Sequence, residues 1–150
     1  MTLRSRPAAA LLASILLTSP AWAADPIGLV KTLSGDATVT RGEQVVPLTA
    51  GADLFRDDMV ATDADSSLGI TFRDDTTLSM GPKSRVALND FAFDPAHDDV
   101  KLGVHMQKGT FSMTSGQTAK LAPDKVSVTT PTMTIGIRGT SFLIEVAGDE

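Results

Sequence analysis

The feature that most constrains the fold of this chain is an alternation of apolar and polar residues that recurs between positions 67 and 146. Apolar side chains occupy every second position of Ser67–Phe72 and of Thr77–Met80. Shorter runs with the same period occur at Val86 and Leu88, at Leu102, Val104 and Met106, at Phe111 and Met113, at Val126 and Val128, and at Phe142, Ile144 and Val146. A period of two places one face of a β-strand in the core. The pattern therefore predicts many short strands with one buried face each.

Turn-forming residues separate these runs. Of the 18 acidic residues 15 are Asp, and all 12 Gly follow position 27. Asp side chains hydrogen-bond nearby backbone groups and Gly adopts positive φ, so both residues favour turns over helices. Predicted turns lie at residues 34–36, 41–43, 50–51, 63–66, 73–76, 81–82, 108–109 and 115–116. The longer polar loop at residues 94–99 is interpreted as a hinge between two halves of one sheet system.

These patterns predict an all-β single domain of many short strands joined by tight turns, with little or no helix. Such a domain fits a bent β-solenoid, a barrel or a sandwich-like sheet, and alternation alone does not choose among them. Pairs of Asp at positions 57–58, 74–75 and 98–99 each precede a strand-like run. Their unequal spacing argues against a repeat, so we interpret them as turn residues that bond their own backbone.

Residues 1–23 have the order of a secretory signal peptide. Arg4 and Arg6 precede an apolar run at residues 8–17, and Ala21 and Ala23 provide the small residues of a cleavage site. The run is shorter than the roughly 20 residues that a stable membrane helix requires. We expect cleavage after Ala23, export to the periplasm, and a mature β domain at residues 24–150 without a membrane span.

Charge and cysteine content exclude several classes of partner and site. Removal of residues 1–23 takes Arg4 and Arg6 with it, which moves the formal charge from −5 to −7. Nucleic acids and anionic lipids are therefore not expected as partners. The sequence has no Cys, so disulfides, thiolate metal sites, thiol catalysis and a lipoprotein anchor are excluded.

Short motifs occur in a fixed order over nearly the whole predicted mature chain. They are Ile27-Gly28-Leu29-Val30, Leu33-Ser34-Gly35-Asp36-Ala37, Arg41-Gly42 with Leu48, Gly51-Ala52-Asp53-Leu54-Phe55, Asp58-Met59-Val60-Ala61-Thr62, Leu68-Gly69-Ile70-Thr71-Phe72-Arg73-Asp74-Asp75-Thr76, Met80-Gly81-Pro82, Thr129-Thr130-Pro131 and Ile135-Gly136-Ile137-Arg138-Gly139-Thr140-Ser141-Phe142. In this order they resemble the FecR domain family. The resemblance implies a periplasmic domain that recognises another molecule in sensing or signalling. The cytoplasmic and membrane-spanning parts of FecR regulators have no counterpart among these motifs, so sigma-factor control is not carried over.

Five matched residues are candidates for structural or partner-contacting roles. Asp75 stands in a hairpin turn where the family more often has Gly, so it must accept a left-handed conformation. Pro131 lacks an amide donor and belongs at a strand end or on a sheet edge. Arg138 interrupts an apolar stretch, so its guanidinium is expected to bond carbonyls or an Asp rather than a ligand. Gly139 and Thr140 complete this segment, and Gly139 permits a bend.

The sequence offers little for catalysis. It contains no G-x-S-x-G elbow, P-loop or H-E-x-x-H motif, and its two imidazoles, His97 and His105, are too few for a zinc site. We therefore expect a non-catalytic protein without a cofactor or metal. Two alternatives stay open: Ca²⁺ in the Asp-rich turns at residues 63–65 and 94–99, and a hydrolase that needs two Asp in one dry cleft.

The expected ligand is a protein of the cell envelope. Residues 129–146 are dense in apolar side chains, and an exposed strand edge there would accept a strand from a partner. The alternative is a glycan or cell-wall ligand, for which stacking aromatic residues are needed. Tyr is absent, and the single Trp, Trp22, lies in the predicted signal peptide. The oligomeric state stays open.

Overall fold

The computed structural model describes residues 24–137 and 141–147, and this part of the chain is mostly strand. The strands are β1 (Gly28–Ser34), β2 (Ala37–Arg41), β3 (Gln44–Pro47), β4 (Asp53–Leu54), β5 (Met59–Thr62), β6 (Ser67–Phe72), β7 (Thr77–Met80), β8 (Arg85–Asp94), β9 (Asp99–Thr114), β10 (Val126–Thr129), β11 (Thr134–Gly136) and β12 (Ser141–Val146). The helical elements are α1 (Gln117–Leu121) and two 3-10 turns, Pro95–His97 and Pro123–Lys125. The predicted all-β single domain is confirmed.

The strands form one sheet that curls into two halves. Half A has the order β4-β1-β6-β7-β9-β12, and half B has the order β3-β2-β5-β8-β9-β10-β11. Within the described residues every pairing is antiparallel except that of β10 with β9. A solenoid stacks its coils in parallel, so this antiparallel sheet, which curls into a half-barrel, is not a solenoid.

Strand β9 joins the two halves. Its first part pairs with β8 on one side and β10 on the other, and its last part pairs with β7 and β12. The turn predicted at Lys108 and Gly109 is wrong, because both residues lie inside this strand. Gly109 has φ of 106°, a conformation that bends the strand without reversing it.

A row of buried hydroxyl groups lies where the chain crosses between the halves. Four of the crossings meet along this row: between β1 and β2, between β5 and β6, between β7 and β8, and within β9. We call Gly35, Thr62, Ser66, Ser84 and Gly109 the corner row. A side chain at Gly35 would overlap the Ser66 hydroxyl, and one at Gly109 would overlap Ser84. Glycine is therefore required at both ends of the row.

The hydroxyl groups of the corner row bond the backbone of neighbouring crossings. Ser66 Oγ accepts from Asp36 N–H at 2.9 Å. Thr62 Oγ1 donates to the Gly81 carbonyl at 2.6 Å and accepts from Ser84 N–H at 2.9 Å. Ser84 Oγ accepts from Thr110 N–H at 3.1 Å. These bonds satisfy backbone groups that the bent strands cannot pair with each other.

The curled sheet encloses a single apolar core. Its side chains come from the alternating positions of both halves, including Val30, Val39, Val60, Leu68, Ile70, Leu78, Met80, Val86, Leu88, Leu102, Met106, Phe111, Met113 and Val128. In the described ranges no helix has the length and apolar character needed to cross a membrane.

The polar loop at residues 94–99 is not the hinge between the halves. Asp94 pairs directly with Asp99, so the loop is a tight hairpin turn that contains the first 3-10 turn. Asp98 adopts a left-handed conformation with φ of 54°. Polar composition indicated a loop here correctly, but the bending occurs at the corner row because close strand contacts there require glycine.

Because a side chain at Gly109 would overlap Ser84, adding a single methyl group there should strongly reduce the stability of the fold. We expect Gly109→Ala to lower the free energy of unfolding by about 3–4 kcal/mol, since positive φ and overlap with Ser84 both oppose the side chain. Gly51→Ala is the matched control, because Gly51 has φ of 88° and open space around it; we expect a loss of about 1–2 kcal/mol there. Urea denaturation measures both, and equal losses would contradict the corner contact.

Candidate functional site

Four strands of the described sheet lie at its edges. Within the described residues β3, β4, β11 and β12 each pair on one side only. Strand β4 has two residues and β11 has three, and β3 ends in Pro47, which lacks an amide donor. Strand β12 has six residues, without Pro, Lys or Arg. It is therefore the edge with the fewest features that discourage strand pairing.

The direction of the backbone groups on β12 follows from its neighbour β9. Thr110 N–H donates to Ser84 Oγ at 3.1 Å, and its carbonyl accepts from Gly81 N–H at 2.9 Å, so both groups point to the β7–β8 side. Because backbone groups of successive strand residues point to opposite sides, Phe111 and Met113 direct theirs to β12.

The register then identifies the outward groups. Ile144 is opposite Phe111 and Phe142 is opposite Met113, so these two β12 residues bond β9. Leu143 and Glu145 lie between the bonded pairs. Their N–H and C=O groups point to the free edge, which no described strand occupies.

The side chains of β12 divide between the core and solvent. Phe142, Ile144 and Val146 are half-buried and pack on the core cluster. Leu143 projects the other way, and 72 % of it is exposed. An exposed large apolar residue on an edge strand with free backbone groups is a feature of protein-binding edges.

The hairpin turn between β10 and β11 lies beside the end of β12. A small cleft of about 140 Å³ separates Thr130–Met133 from residues 144–147. Thr130 organises this turn, because its N–H donates to the Met133 carbonyl at 2.8 Å and its hydroxyl accepts from Met133 N–H at 3.2 Å. Met133 is 56 % exposed, which extends the apolar surface of the edge.

The structure locates two of the five candidate residues from the sequence. Pro131 is exposed in the β10–β11 turn, directly beyond a strand end. Asp75 lies in the β6–β7 turn with φ of 67°, the left-handed conformation that the turn requires of it. Arg138, Gly139 and Thr140 lie outside the described residues, as does Ala23 of the predicted cleavage site, and their roles stay predictions.

An ion pair between a buried carboxylate and a partly exposed guanidinium, which the sequence patterns did not indicate, holds the turn before β5. The Asp58 carboxylate is almost fully buried and accepts from Arg41 Nε at 2.9 Å and Nη2 at 2.7 Å. It also accepts from Phe55 N–H at 2.8 Å. The guanidinium carbon lies 4.6 Å from the centre of the Phe55 ring. The hydrogen bonds from Arg41 to Asp58 raise the pKa of the guanidinium above its ordinary value, although partial burial opposes this shift.

The second buried carboxylate, Asp74, joins two turns. It accepts from Thr76 N–H at 3.0 Å, from the Thr76 hydroxyl at 2.8 Å and from Thr118 N–H at 3.3 Å. Gly116 N–H donates to Thr76 Oγ1 at 3.0 Å. A side chain on Gly116 would overlap the Asp74 backbone. This network attaches the start of α1 to the β6–β7 turn.

The buried carboxylates and the two imidazoles of the described residues have partners within the fold. Asp58 and Asp74 are the buried carboxylates in this part of the chain, and each is used to hold its own turn. His97 Nδ1 lies 2.8 Å from Asp94 on the surface, and His105 Nδ1 lies 2.8 Å from Thr129 Oγ1. No cluster of three or more His, Asp or Glu suited to a metal occurs within residues 24–137 and 141–147.

Aromatic platforms for sugar binding are also not evident. Of the six Phe, Phe72, Phe91 and Phe111 are buried, and the other three are half-buried. Phe72 and Phe91 stack on each other inside the protein, with ring centres 5.8 Å apart. Glycan sites present exposed ring faces, so the described surface gives the glycan alternative no support.

A protein-family model matches more than half of the chain. The model of the FecR protein family matches residues 58–150, from the buried Asp58 to beyond β12. The chain belongs to the FecR family. The resemblance inferred from the motifs is thereby confirmed, although the motifs before Asp58 lie outside the matched region. No curated protein and no solved structure matches the chain.

Membership of the FecR family fits a regulatory module that senses or signals. The residues that the family model matches include β12 and the β10–β11 hairpin of this FecR protein. Leu143 was a signal of an outward surface in the sequence, since it is apolar at a position where the alternation predicts a polar residue. Arg41 and Asp58 left no such signal, because they are 17 residues apart and meet only in the folded sheet.

The Arg41–Asp58 pair predicts unequal effects of two ion-pair mutations in this FecR protein. Arg41→Ala leaves a buried carboxylate without its cation, and we expect a loss of about 2–3 kcal/mol in the free energy of unfolding. Lys101→Ala is the control, since Lys101 and Asp90 form an exposed pair at 3.0 Å that contributes less than about 1 kcal/mol. Chemical denaturation in low salt measures both losses, and similar values would refute a structural role for Arg41.

Proposed function

We propose that this FecR protein is an exported, non-catalytic binding module that takes part in envelope sensing or signalling by recognising a protein partner. The partner adds one of its strands to the free edge of β12. In such a complex the backbone hydrogen bonds provide affinity, and side chains at alternate positions provide selectivity.

The observation that carries this proposal is the arrangement of Leu143 and Glu145. Their backbone groups point away from β9, and the Leu143 side chain is exposed beside them. A partner strand would bond both residues and cover Leu143 together with the half-buried Phe142, Ile144 and Val146. Met133, at the neighbouring hairpin, would add to the same apolar contact.

Family membership and the roles of the polar groups support a binding function. FecR proteins are regulatory or sensing proteins. The buried carboxylates Asp58 and Asp74 hold turns by hydrogen bonds to nearby backbone. Neither of them lines a described cavity, where a substrate would bind.

A proline on the edge tests strand addition directly. Leu143→Pro removes an outward N–H but no bond to β9, so we expect a near-wild-type melting temperature and loss of partner capture from a periplasmic extract. Leu143→Thr keeps the N–H and is expected to retain partial capture. Ile144→Pro removes a bond to β9 and should lower the melting temperature by several degrees. Undiminished capture by Leu143→Pro would refute recognition through this edge.

If the protein is exported with cleavage after Ala23, its mature form has a defined N-terminus. When the full chain is produced in a Gram-negative bacterium, we expect the periplasmic fraction to contain a form that begins at Ala24. This form lacks the two positive charges of Arg4 and Arg6. Intact-mass measurement of the fractionated protein identifies this end. A full-length protein confined to the cytoplasm would contradict the proposed location without affecting the binding edge.

A further inference from the structure

A second concave surface lies where the chain enters β1. Ile27 N–H donates to the Leu54 carbonyl at 2.8 Å, and its own carbonyl accepts from Arg73 N–H at 2.9 Å. The segment before β1 is thereby held across the end of the curled sheet, between β4 and the β6–β7 turn. Beside it is an open cavity of about 600 Å³, a volume typical of small-ligand sites.

The cavity combines an apolar floor with two arginines. Ile27 and Phe91 are buried beneath it, and Phe93 is half-buried at its side. Arg56 and Arg73 also line it, and both are exposed. We call these five residues the arginine groove. It shares no residue with the β12 edge, so it is independent of the proposed protein-binding site.

The guanidinium groups of the groove are available for a ligand. One η-nitrogen of Arg56 donates to the Phe91 carbonyl at 2.7 Å, which holds the side chain at the groove; its other donors have no partner among residues 24–137 and 141–147. The Arg73 side chain has no hydrogen bond or ion pair within the described part of the chain. Arg41, by contrast, directs its guanidinium to the Asp58 carboxylate and the Asp53 carbonyl. Two available guanidinium groups above an apolar floor are suited to a planar oxyanion.

The charge around the groove favours a singly charged ligand. Asp25 and Asp94 also line the cavity, and Asp94 bonds His97 at 2.8 Å. Two carboxylates therefore balance the two guanidinium groups, and the whole chain is acidic. A phosphate dianion meets more repulsion here than a carboxylate does.

We propose that the arginine groove binds a carboxylate attached to an apolar group. Arg56 and Arg73 bind the carboxylate, and Ile27, Phe91 and Phe93 contact the apolar part. This chemistry has two sources, a small organic acid and the C-terminal carboxylate of a peptide. In either case the FecR domain holds a ligand site in addition to its protein-binding edge.

Matched probes test the carboxylate. N-acetylphenylalanine has both the charge and the apolar group, and N-acetylphenylalanine amide lacks only the charge. We expect saturable chemical-shift changes at the amides of Ile27, Arg73 and Phe93 with the acid, and at least tenfold weaker binding of the amide. Equal affinity for acid and amide, no saturable binding of the acid, or tighter binding of phenyl phosphate would overturn the proposal.

Variants of the groove test the arginines. Arg73→Gln removes a side chain without a described partner, so the fold should be unchanged, and we expect at least fivefold weaker binding of N-acetylphenylalanine. Arg56→Lys keeps the charge but loses the planar fork, and it should also weaken binding. Arg85→Gln is the control, because Arg85 is exposed outside the groove and the charge change is the same. Wild-type affinity in a folded Arg73→Gln protein would refute the site.

A peptide arm distinguishes the two sources. A five-residue peptide that ends in Phe with a free carboxylate is compared with N-acetylphenylalanine. At least tenfold tighter binding of the peptide assigns the groove to a protein C-terminus, and equal binding assigns it to a small acid. Both results support the carboxylate site. If neither probe binds, the carboxylate site is refuted, but the proposed strand addition at β12, which Leu143→Pro tests, is unaffected.

Discussion

The close contact between glycine and buried hydroxyl groups at the corner row is the constraint on which the rest of the structure depends. The chain must bend where it crosses from half A to half B, and bending leaves backbone donors and acceptors without a strand partner. Thr62, Ser66 and Ser84 provide those partners, and Gly35 and Gly109 leave the space for them. The curl of the sheet, and hence the closure of the core, follows from these contacts.

The curl also determines which strands remain at the edges. Because β9 pairs on both sides along both of its parts, it occupies the centre of the sheet and places β12 outside. The bonds of Thr110 at the corner further determine which way the backbone groups of β9 point. By alternation they also determine which β12 residues face the free edge. The proposed recognition surface is therefore a consequence of the same contacts that bend the sheet.

Buried polar groups in this FecR protein serve the architecture. Asp58 with Arg41 and Asp74 with Thr76 hold turns at different places in the sheet. In each case a carboxylate is buried because several donors converge on it, which offsets the cost of removing it from water. The groups proposed for recognition are on the surface: the edge of β12 with its exposed Leu143, and the arginine groove.

Local patterns predicted some of these features and not others. Alternation indicated β6 and β7 with the bounds that the structure has, and turn chemistry anticipated the left-handed conformation of Asp75. The same chemistry led to an error at Gly109, since positive φ serves equally in a reversing turn and in a bent strand. The Arg41–Asp58 ion pair was not predicted, because in the sequence neither residue differs from a solvated turn residue. Leu143 was visible as an apolar residue out of phase, but not as part of an edge.

By itself the sequence determined the strand content, the positions of most turns, the family and the absence of thiol chemistry, because each depends on residue type and short-range spacing. Only the tertiary structure decided between a solenoid and a curled sheet, which strand became the edge, and which charged side chains were neutralised by partners. Those outcomes depend on contacts between residues distant in the chain. Pairing register and burial exist only after the strands have bent around a common core.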